Sequence, residues 1–520
     1  MIVRIIMVLS CVGAGACTIK PEPFSSQDNA MRASTDRAQL ASYSPAPTGP
    51  ISLEEAQARA LAYNLDNRLQ LFNAALQDRQ LDLSRLDMLP NLTANAGYVG
   101  RNKELVSSSA SYLTGTITPT NFETVSVDQD RTFGDLTLSW NIIDFGVSYI
   151  QAKQQADRVI IAQEQRRRVV NNVFQQVRGA YWTAIAAERI SPRLKPLLNE
   201  ARRALEHSRA LGAEREQDPG EALRYQRSLM ELIQQLESLQ DQLSIAKTQL
   251  AQLMGLRPGT PYTLASPKGA LYIPKVHLTV DQMERIALVN RPELREEAYN
   301  TRVTQAEGRR ALLRLMPGVT LMESLNFDSN SYLLFNDWSE AGARITVSLV
   351  RLLSIPNVRR LNEAQGEIAE ARRLAMTMAV LAQVQISARQ YSIAQRSYRR
   401  SREMSDINRR IANLSTDTQA AQTTSDLDLI REKANAVLSE LRSHRAYADL
   451  QNADANIFMT LGLDPLPIDV KADNLPDLVI AIRQQTSEWR SGRVPVPELP
   501  AASLSPDPAP KVMATTALTE

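Results

Sequence analysis

Cysteine is almost absent from this sequence. The only two, Cys11 and Cys17, fall within the first seventeen residues, so the remainder of the chain has no disulfide and no thiolate metal site. Histidine is nearly as scarce. His207, His277 and His444 are far apart, without ligand spacing or companion cysteines, and His444 reads as a packing or interfacial residue of a helix. The sequence also lacks a phosphate-cradling glycine loop followed by lysine, a nucleophile elbow and a zinc-protease motif, which leaves an enzymatic reading without residues and calls for no cofactor. Aromatic residues make up only 5%, against 43% hydrophobic residues in all, a mix that suits thin helical walls better than a thick globular core. The 59 basic and 57 acidic residues leave a net charge of +2, so no global field points to nucleic acid or an anionic membrane surface.

The N-terminal apolar run, Ile5 to Leu9, is too short to span a bilayer as a helix. With Arg4 before it and Gly13, Ala14, Gly15 and Ala16 after it, the run has the layout of a secretory signal peptide over 1–16. Cys17 directly after small residues resembles a bacterial lipobox, with Ala14 where a larger aliphatic residue is usual. The resemblance implies lipidation at Cys17 and, since Thr18 is not Asp, an address in the outer membrane. The competing reading is an ordinary signal peptide cut nearby. Residues 17–50, rich in Ser, Pro, Gln and Ala, read as a flexible leader.

Regular periodicity begins at Ile51. Ser52 and Glu55 form a capping box, and Ala56, Ala60, Leu61, Leu65 and Leu69 carry one helical pattern on to Leu89. After Pro90 the residues alternate through Leu92, Ala94, Ala96 and Tyr98, the period of a strand. A polar segment, roughly 101–131, leads to a second alternating run, Leu136, Leu138, Trp140 and Ile142. Asp144, Phe145 and Gly146 break that alternation, and a long helix is expected from Ser148 toward Leu211, with Pro192 and Pro196 as points of kinking or brief interruption. A turn is expected around Gly212, with Glu214, Glu216 and Asp218. Beyond it Leu229, Leu232, Leu236, Leu239, Leu243, Ala246, Leu250 and Leu253 form a heptad seam that Gly255 ends.

The pattern then repeats. Leu315, Met316 and Pro317 echo Met88, Leu89 and Pro90 at an offset of about 227, followed by alternation at Val319, Leu321 and Ser324 and a return strand at Ile345, Val347 and Leu349. A long helix is expected from about Asn357 to Ala412, with a turn at Asn413 in the place of Gly212. The closing helix ends at Thr460, Leu461, Gly462 and Leu463, matching Leu253 to Leu256. The expected division is a first repeat over 51–262, a connector over 263–280, a second repeat over 281–466 and a Pro-rich tail over 467–520. In the tail, Asp477–Arg483 with Trp489 reads as a short helix against the tube, and 494–510 as disordered. Four strands cannot close a barrel or hide their edges, so three copies and twelve strands are expected.

The two-copy layout, the joint from Trp140 to Gly146 and the Leu-Gly-Leu helix ends resemble the TolC-type outer-membrane channel family over roughly 51–466. The resemblance implies a mainly α fold of two helix-strand-strand-helix-helix repeats, assembled as a homotrimer. A twelve-stranded barrel in outer-membrane lipid would stand on a periplasmic α-helical tube. It also implies a passive exit duct for tripartite efflux or type I secretion that docks a periplasmic adaptor and an inner-membrane transporter. The second joint departs from the pattern, with Pro356 where the first has Gly146. The two turns would form the tip, with Glu214, Glu216, Asp218 and Asp417 as its acidic lining and Arg209, Arg215, Arg409 and Arg410 as links holding it closed. The competing reading makes those residues capping or solvated groups. A different class also fits the heptads, a structural periplasmic coiled-coil spacer or adhesin without a pore, although a spacer has no need of membrane strands.

Overall fold

A computed structural model describes residues 22–108, 110, 112–117, 124–213, 219–266, 271–420, 426–464 and 474–500. The first repeat consists of α2 (Leu53–Tyr63), α3 (Leu65–Leu86), β1 (Asn91–Gly100), β4 (Asp130–Asn141), α4 (Ile142–Ala213) and α5 (Pro219–Leu253). The second consists of α6 (Val280–Asn290), α7 (Pro292–Leu313), β5 (Gly318–Asp328), β6 (Asp337–Thr346), α8 (Leu349–Leu352), α9 (Ile355–Ala420) and α10 (Asp426–Thr460). Before them lies α1 (Ser26–Ser42) and after them α11 (Leu475–Arg490); β2 (Val106–Ser107) and β3 (Thr124–Val125) form a small hairpin between β1 and β4.

The repeat holds to the residue. Asn91 and Gly318, which open the first strand of each copy, are 227 apart, whereas Ile142 and Leu349, which open the helix after the second strand, are 207 apart. The shortening lies between the paired strands, where 101–129 is replaced by 329–336.

Each copy closes on the same clasp. Gly255 and Gly462 follow α5 and α10 with φ of 68° and 70°, left-handed values that a side chain disfavours. A Cβ on Gly255 would lie 2.4 Å from the Tyr63 carbonyl oxygen, and one on Gly462 2.6 Å from the Asn290 carbonyl. Tyr63 and Asn290 are themselves 227 apart, at the breaks between α2 and α3 and between α6 and α7. The Asn64 side chain donates to the Leu253 carbonyl at 3.4 Å, and Arg291 donates to the Thr460 carbonyl at 3.1 Å, so each break caps the end of its own closing helix.

Several expectations need correction. The helical pattern from Ser52 to Leu89 is two helices, because Asn64 leaves helical geometry and its side chain caps α3 through the amides of Asp66 and Asn67. Pro192 and Pro196 lie inside an unbroken 72-residue α4. Each proline costs about 3 kcal/mol in a helix interior, and burial of Ile190, Leu194, Leu197 and Leu198 offsets this at about 1.5–3 kcal/mol per side chain. Asn413 is not a turn: α9 runs on to Ala420, since one Asn costs a helix less than 1 kcal/mol and no breaker follows it. The return strand is Asp337–Thr346, placed by its register with β5, and Leu349 already belongs to α8. Within the expected flexible leader, α1 is a helix with a full capping box at Ser25 and Asp28, though none of its residues is buried. In the tail, α11 packs Leu478 and Ile482 against Ala58, Leu61 and Phe174, and Val494, expected to be disordered, is buried in the main core.

The helices form a wall one layer thick. Toward the sheet the order is α3, α4, α7, α9, and toward the far end α5, α4, α10, α9. Among the described residues no helix is long and apolar enough to cross a membrane.

Gly255→Ala and Gly462→Ala are each expected to destabilise the protein by roughly 2–4 kcal/mol through backbone strain and overlap with the clasp. Gly366→Ala, with nothing within 4 Å of its Cβ, is expected to stabilise α9 by up to about 1 kcal/mol. Thermal melts followed by circular dichroism check this; three equal shifts would refute the clasp.

Candidate functional site

The sheet is built as a partition with two unlike faces. Its order is β1-β4-β5-β6, antiparallel throughout. Register places Leu92, Leu136, Leu138, Trp140, Leu321, Leu325 and Ile345 on one face, interrupted by Glu323 opposite Leu138 and Ala341 and by Ser339 and Asp337 toward the far end of β6. The other face is mainly polar, with Thr93, Asn95, Asp135, Thr137, Ser324, Asn326, Glu340 and Arg344, and also carries Phe133, Met322 and Trp338. Asn95 donates to the Asp135 carboxylate at 3.0 Å across it. β1 and β6 each have one neighbour among the described residues, so each leaves an edge unpaired.

Strand passes into helix almost without a connector. In the first copy β4 ends at Asn141, whose side-chain oxygen accepts from the amides of Ile143 at 2.9 Å and Asp144 at 3.2 Å and so starts α4 at once. Asp144, Phe145 and Gly146 are therefore the first turn of α4 and not a break before it. Asp144 is exposed there, where a carboxylate suits the helix dipole. Trp140 and Phe145 meet edge to face with centroids 5.7 Å apart, and a Cβ on Gly146 would come within 3.0 Å of Leu313. In the second copy α8 is a single turn. Leu353 and Ser354 donate back to Val350 and Arg351, and Pro356 occupies the first turn of α9, where its missing amide costs nothing.

Below the joints a ladder of ion pairs ties the copies together. Arg178 faces Asp454 at 4.0 Å, Arg193 pairs with Glu440, and Lys433 donates to Glu200 at 2.9 Å, in antiparallel register between α4 and α10. Burial pushes the Glu440 carboxyl up, but the His444 imidazole and the Arg193 guanidinium beside it outweigh this and hold it down to about 2. His444, half-turned into this seam, is thus placed by Glu440 at 3.8 Å. Neither Glu440 nor Arg193 stood out in the sequence, and only the matched register of two heptad helices marks them.

At the far end the described helices α4 and α5 approach a turn, Gln226 donating to the Ser208 carbonyl at 3.3 Å. Gly212 lies in the last turn of α4. Glu214, Arg215, Glu216 and Asp218 lie outside the described residues, as does Cys17. Arg410, Asn413 and Asp417 are exposed on the last turns of α9, while Arg409 pairs with Asp406 at 3.3 Å on the same helix.

Both outer helices leave apolar residues uncovered. On α9 these include Ile386, Ile393, Ile407 and Leu414, and on α3 Leu65, Leu69, Phe72 and Leu76. These helices border the wall on opposite sides and continue into β6 and β1, the open edges of the sheet.

Because the Glu440 pKa is lowered in the fold, its stabilisation is present above the ordinary carboxylate value of 4.5 and is lost as pH falls toward about 2. Glu440→Gln is expected to cost about 1–2 kcal/mol at pH 7, a figure reduced for solvent screening of a half-buried pair. The gap between variant and parent should close between pH 4.5 and 2 in urea unfolding, and a gap that does not change with pH would contradict the assignment.

No protein-family model matches the sequence, and no curated protein matches it. Solved structures do. The Campylobacter jejuni CmeC outer membrane channel is similar with a TM-score of 0.63 and 12% identity, covering 89% of this chain and 97% of that one. The outer-membrane channel OprN matches with a TM-score of 0.61 and 17% identity, covering 79% of this chain and 89% of that one. The open-state Neisseria gonorrhoeae MtrE outer membrane channel matches at 0.53 and 17%, with coverages of 79% and 89%. The chain has the fold of these outer-membrane channels, the TolC-type fold that its repeats and joints resemble.

Proposed function

We propose that this chain is the protomer of a passive outer-membrane exit duct, in which three copies join edge to edge. The observation that carries the reading is that β1 and β6, and the helices α3 and α9 attached to them, all present unsatisfied surfaces on opposite borders of one continuous wall. In a bilayer the unpaired backbone groups of an edge cost several kcal/mol each, and pairing β6 of one copy with β1 of the next removes both edges at once. Four strands per copy give twelve in the closed barrel, a size within the outer-membrane range. The apolar face of the sheet then meets lipid and the polar face lines the lumen, while the helical wall extends as a tube into the periplasm.

A duct of this kind does no chemistry of its own. Its cargo would be chosen by a periplasmic adaptor and an inner-membrane transporter, as in tripartite efflux or type I secretion. Arg410 and Asp417, on the last turns of α9, and Glu214, Glu216 and Asp218, between α4 and α5 in sequence, are the candidates for the tip, where threefold symmetry would turn each inward carboxylate into a ring. Lipidation at Cys17 would add a second hold on the outer membrane. The two-faced sheet favours the duct over a coiled-coil spacer or adhesin, which has no use for a strand face of Leu92, Leu138, Trp140 and Leu321.

The expected outcome is a trimer by native mass spectrometry of the detergent-purified protein, with small, cation-selective single-channel conductance in a planar bilayer. Charge reversal at Asp218 or Arg410 should raise that conductance. A monomer that stays soluble without detergent and conducts nothing would sink the reading.

A further inference from the structure

An aromatic cavity of about 280 Å³ opens beside the start of α2, lined among others by Tyr181, Trp182, Tyr272, Tyr447, Glu54 and Gln451. Its volume equals that of roughly nine waters at liquid density, room for a small organic molecule. Trp182 stands nearly perpendicular to Tyr181, with centroids 5.6 Å apart, and to Tyr447, at 4.8 Å. Tyr447 and Gln451 both donate to the Tyr272 carbonyl, at 3.2 and 3.4 Å, which fixes the backbone of Tyr272 at the mouth, where its ring is 59% exposed.

Two polar groups here are left over. The Trp182 indole N–H has no hydrogen-bond partner among the described residues although Trp182 is only 8% exposed, an uncommon and costly state for a buried donor. Three carboxylates raise the phenol pKa of the neighbouring Tyr181 beyond the effect of its burial, namely Glu54, Glu188 and Glu55. Glu188 is neutralised by Lys247 at 2.7 Å and Glu55 by Arg59 at 2.9 Å, whereas Glu54 makes no ion pair among the described residues. Aromatic rings beside a carboxylate that has no ion-pair partner among the described residues suit an organic cation, since aromatic rings and a carboxylate both attract positive charge.

We propose that this cavity binds a small organic ammonium ion that also carries a hydrogen-bond acceptor: the cation sits among the aromatic rings near Glu54, and the acceptor takes the Trp182 N–H. The site belongs to one copy of the chain and stands whether or not three copies form a duct.

The test is isothermal titration calorimetry of the detergent-purified full chain with choline, its neutral isostere 3,3-dimethylbutan-1-ol, and tetramethylammonium. Choline should bind saturably and the neutral alcohol at least about tenfold more weakly, the range of a cation-π and carboxylate contribution. Glu54→Gln and Tyr272→Ala, at positions outside the core, should each weaken choline about tenfold with unchanged melting curves. Trp182→Phe should weaken choline while leaving tetramethylammonium as it was. Absence of choline binding, equal binding of the neutral alcohol, or an unaltered Glu54→Gln affinity would each overturn the proposal. So would saturation of the cavity by a neutral disaccharide with no response to choline.

Discussion

A strand at the border of a sheet carries a row of amide and carbonyl groups with nothing to pair, and this chain has two such borders by construction. The four strands of its main sheet are too few to curl into a closed cylinder, and among the described residues neither outer strand has a second strand beside it. The same incompleteness extends down the helices, where α3 and α9 keep leucine, isoleucine and phenylalanine side chains in the open. Hydrogen-bonding demand at the sheet and apolar burial along the wall therefore point to one remedy, further copies of the same wall.

Duplication supplies the rigidity that such a thin wall needs. Each copy locks its closing helix with a left-handed glycine seated on a helix break, and the breaks differ chemically: Asn64 caps in the first copy and Arg291 in the second. The copies are then joined by α4 and α10, whose antiparallel contact buries an apolar seam and fixes three ion pairs. Partly buried pairs of this kind add less stability than their number suggests, because desolvation opposes attraction. Their register is what they contribute, since a slip along the seam would separate all three. The belt of α2, α6 and α11 closes around the middle, and it is against α2 that the aromatic cavity forms.

Much of this was legible because helices and strands write their periods into the chain. The alternation Leu92–Tyr98 locates β1 within two residues and the heptads Leu229–Leu253 reach the end of α5, which starts ten residues before them, and the recurrence of Pro90 as Pro317 and of Gly255 as Gly462 reveals the repeat. Punctuation was less reliable. Asn64 breaks a helix that looked continuous, while Pro192, Pro196 and Asn413 do not break the helices that hold them. In each case the local preference is worth at most about 3 kcal/mol, and packing of whole helix faces outweighs it. β6 is hard to place from sequence because the small residues Ser339, Ala341, Gly342 and Ala343 make its alternation weak, so its position follows from β5 beside it.

Sequence alone reveals the long helices, the strands β1 and β4 and the twofold repeat, because their periods are written in residues near one another in the chain. The tertiary structure decided which groups meet across long separations. It paired Arg193 with Glu440, seated Gly462 on Asn290 and gathered Tyr181, Trp182 and Tyr447 into one cluster. Charge pairing and orphaned polar groups are properties of the three-dimensional neighbourhood, set by the register in which long helices pack, and no spacing along the chain encodes that register directly.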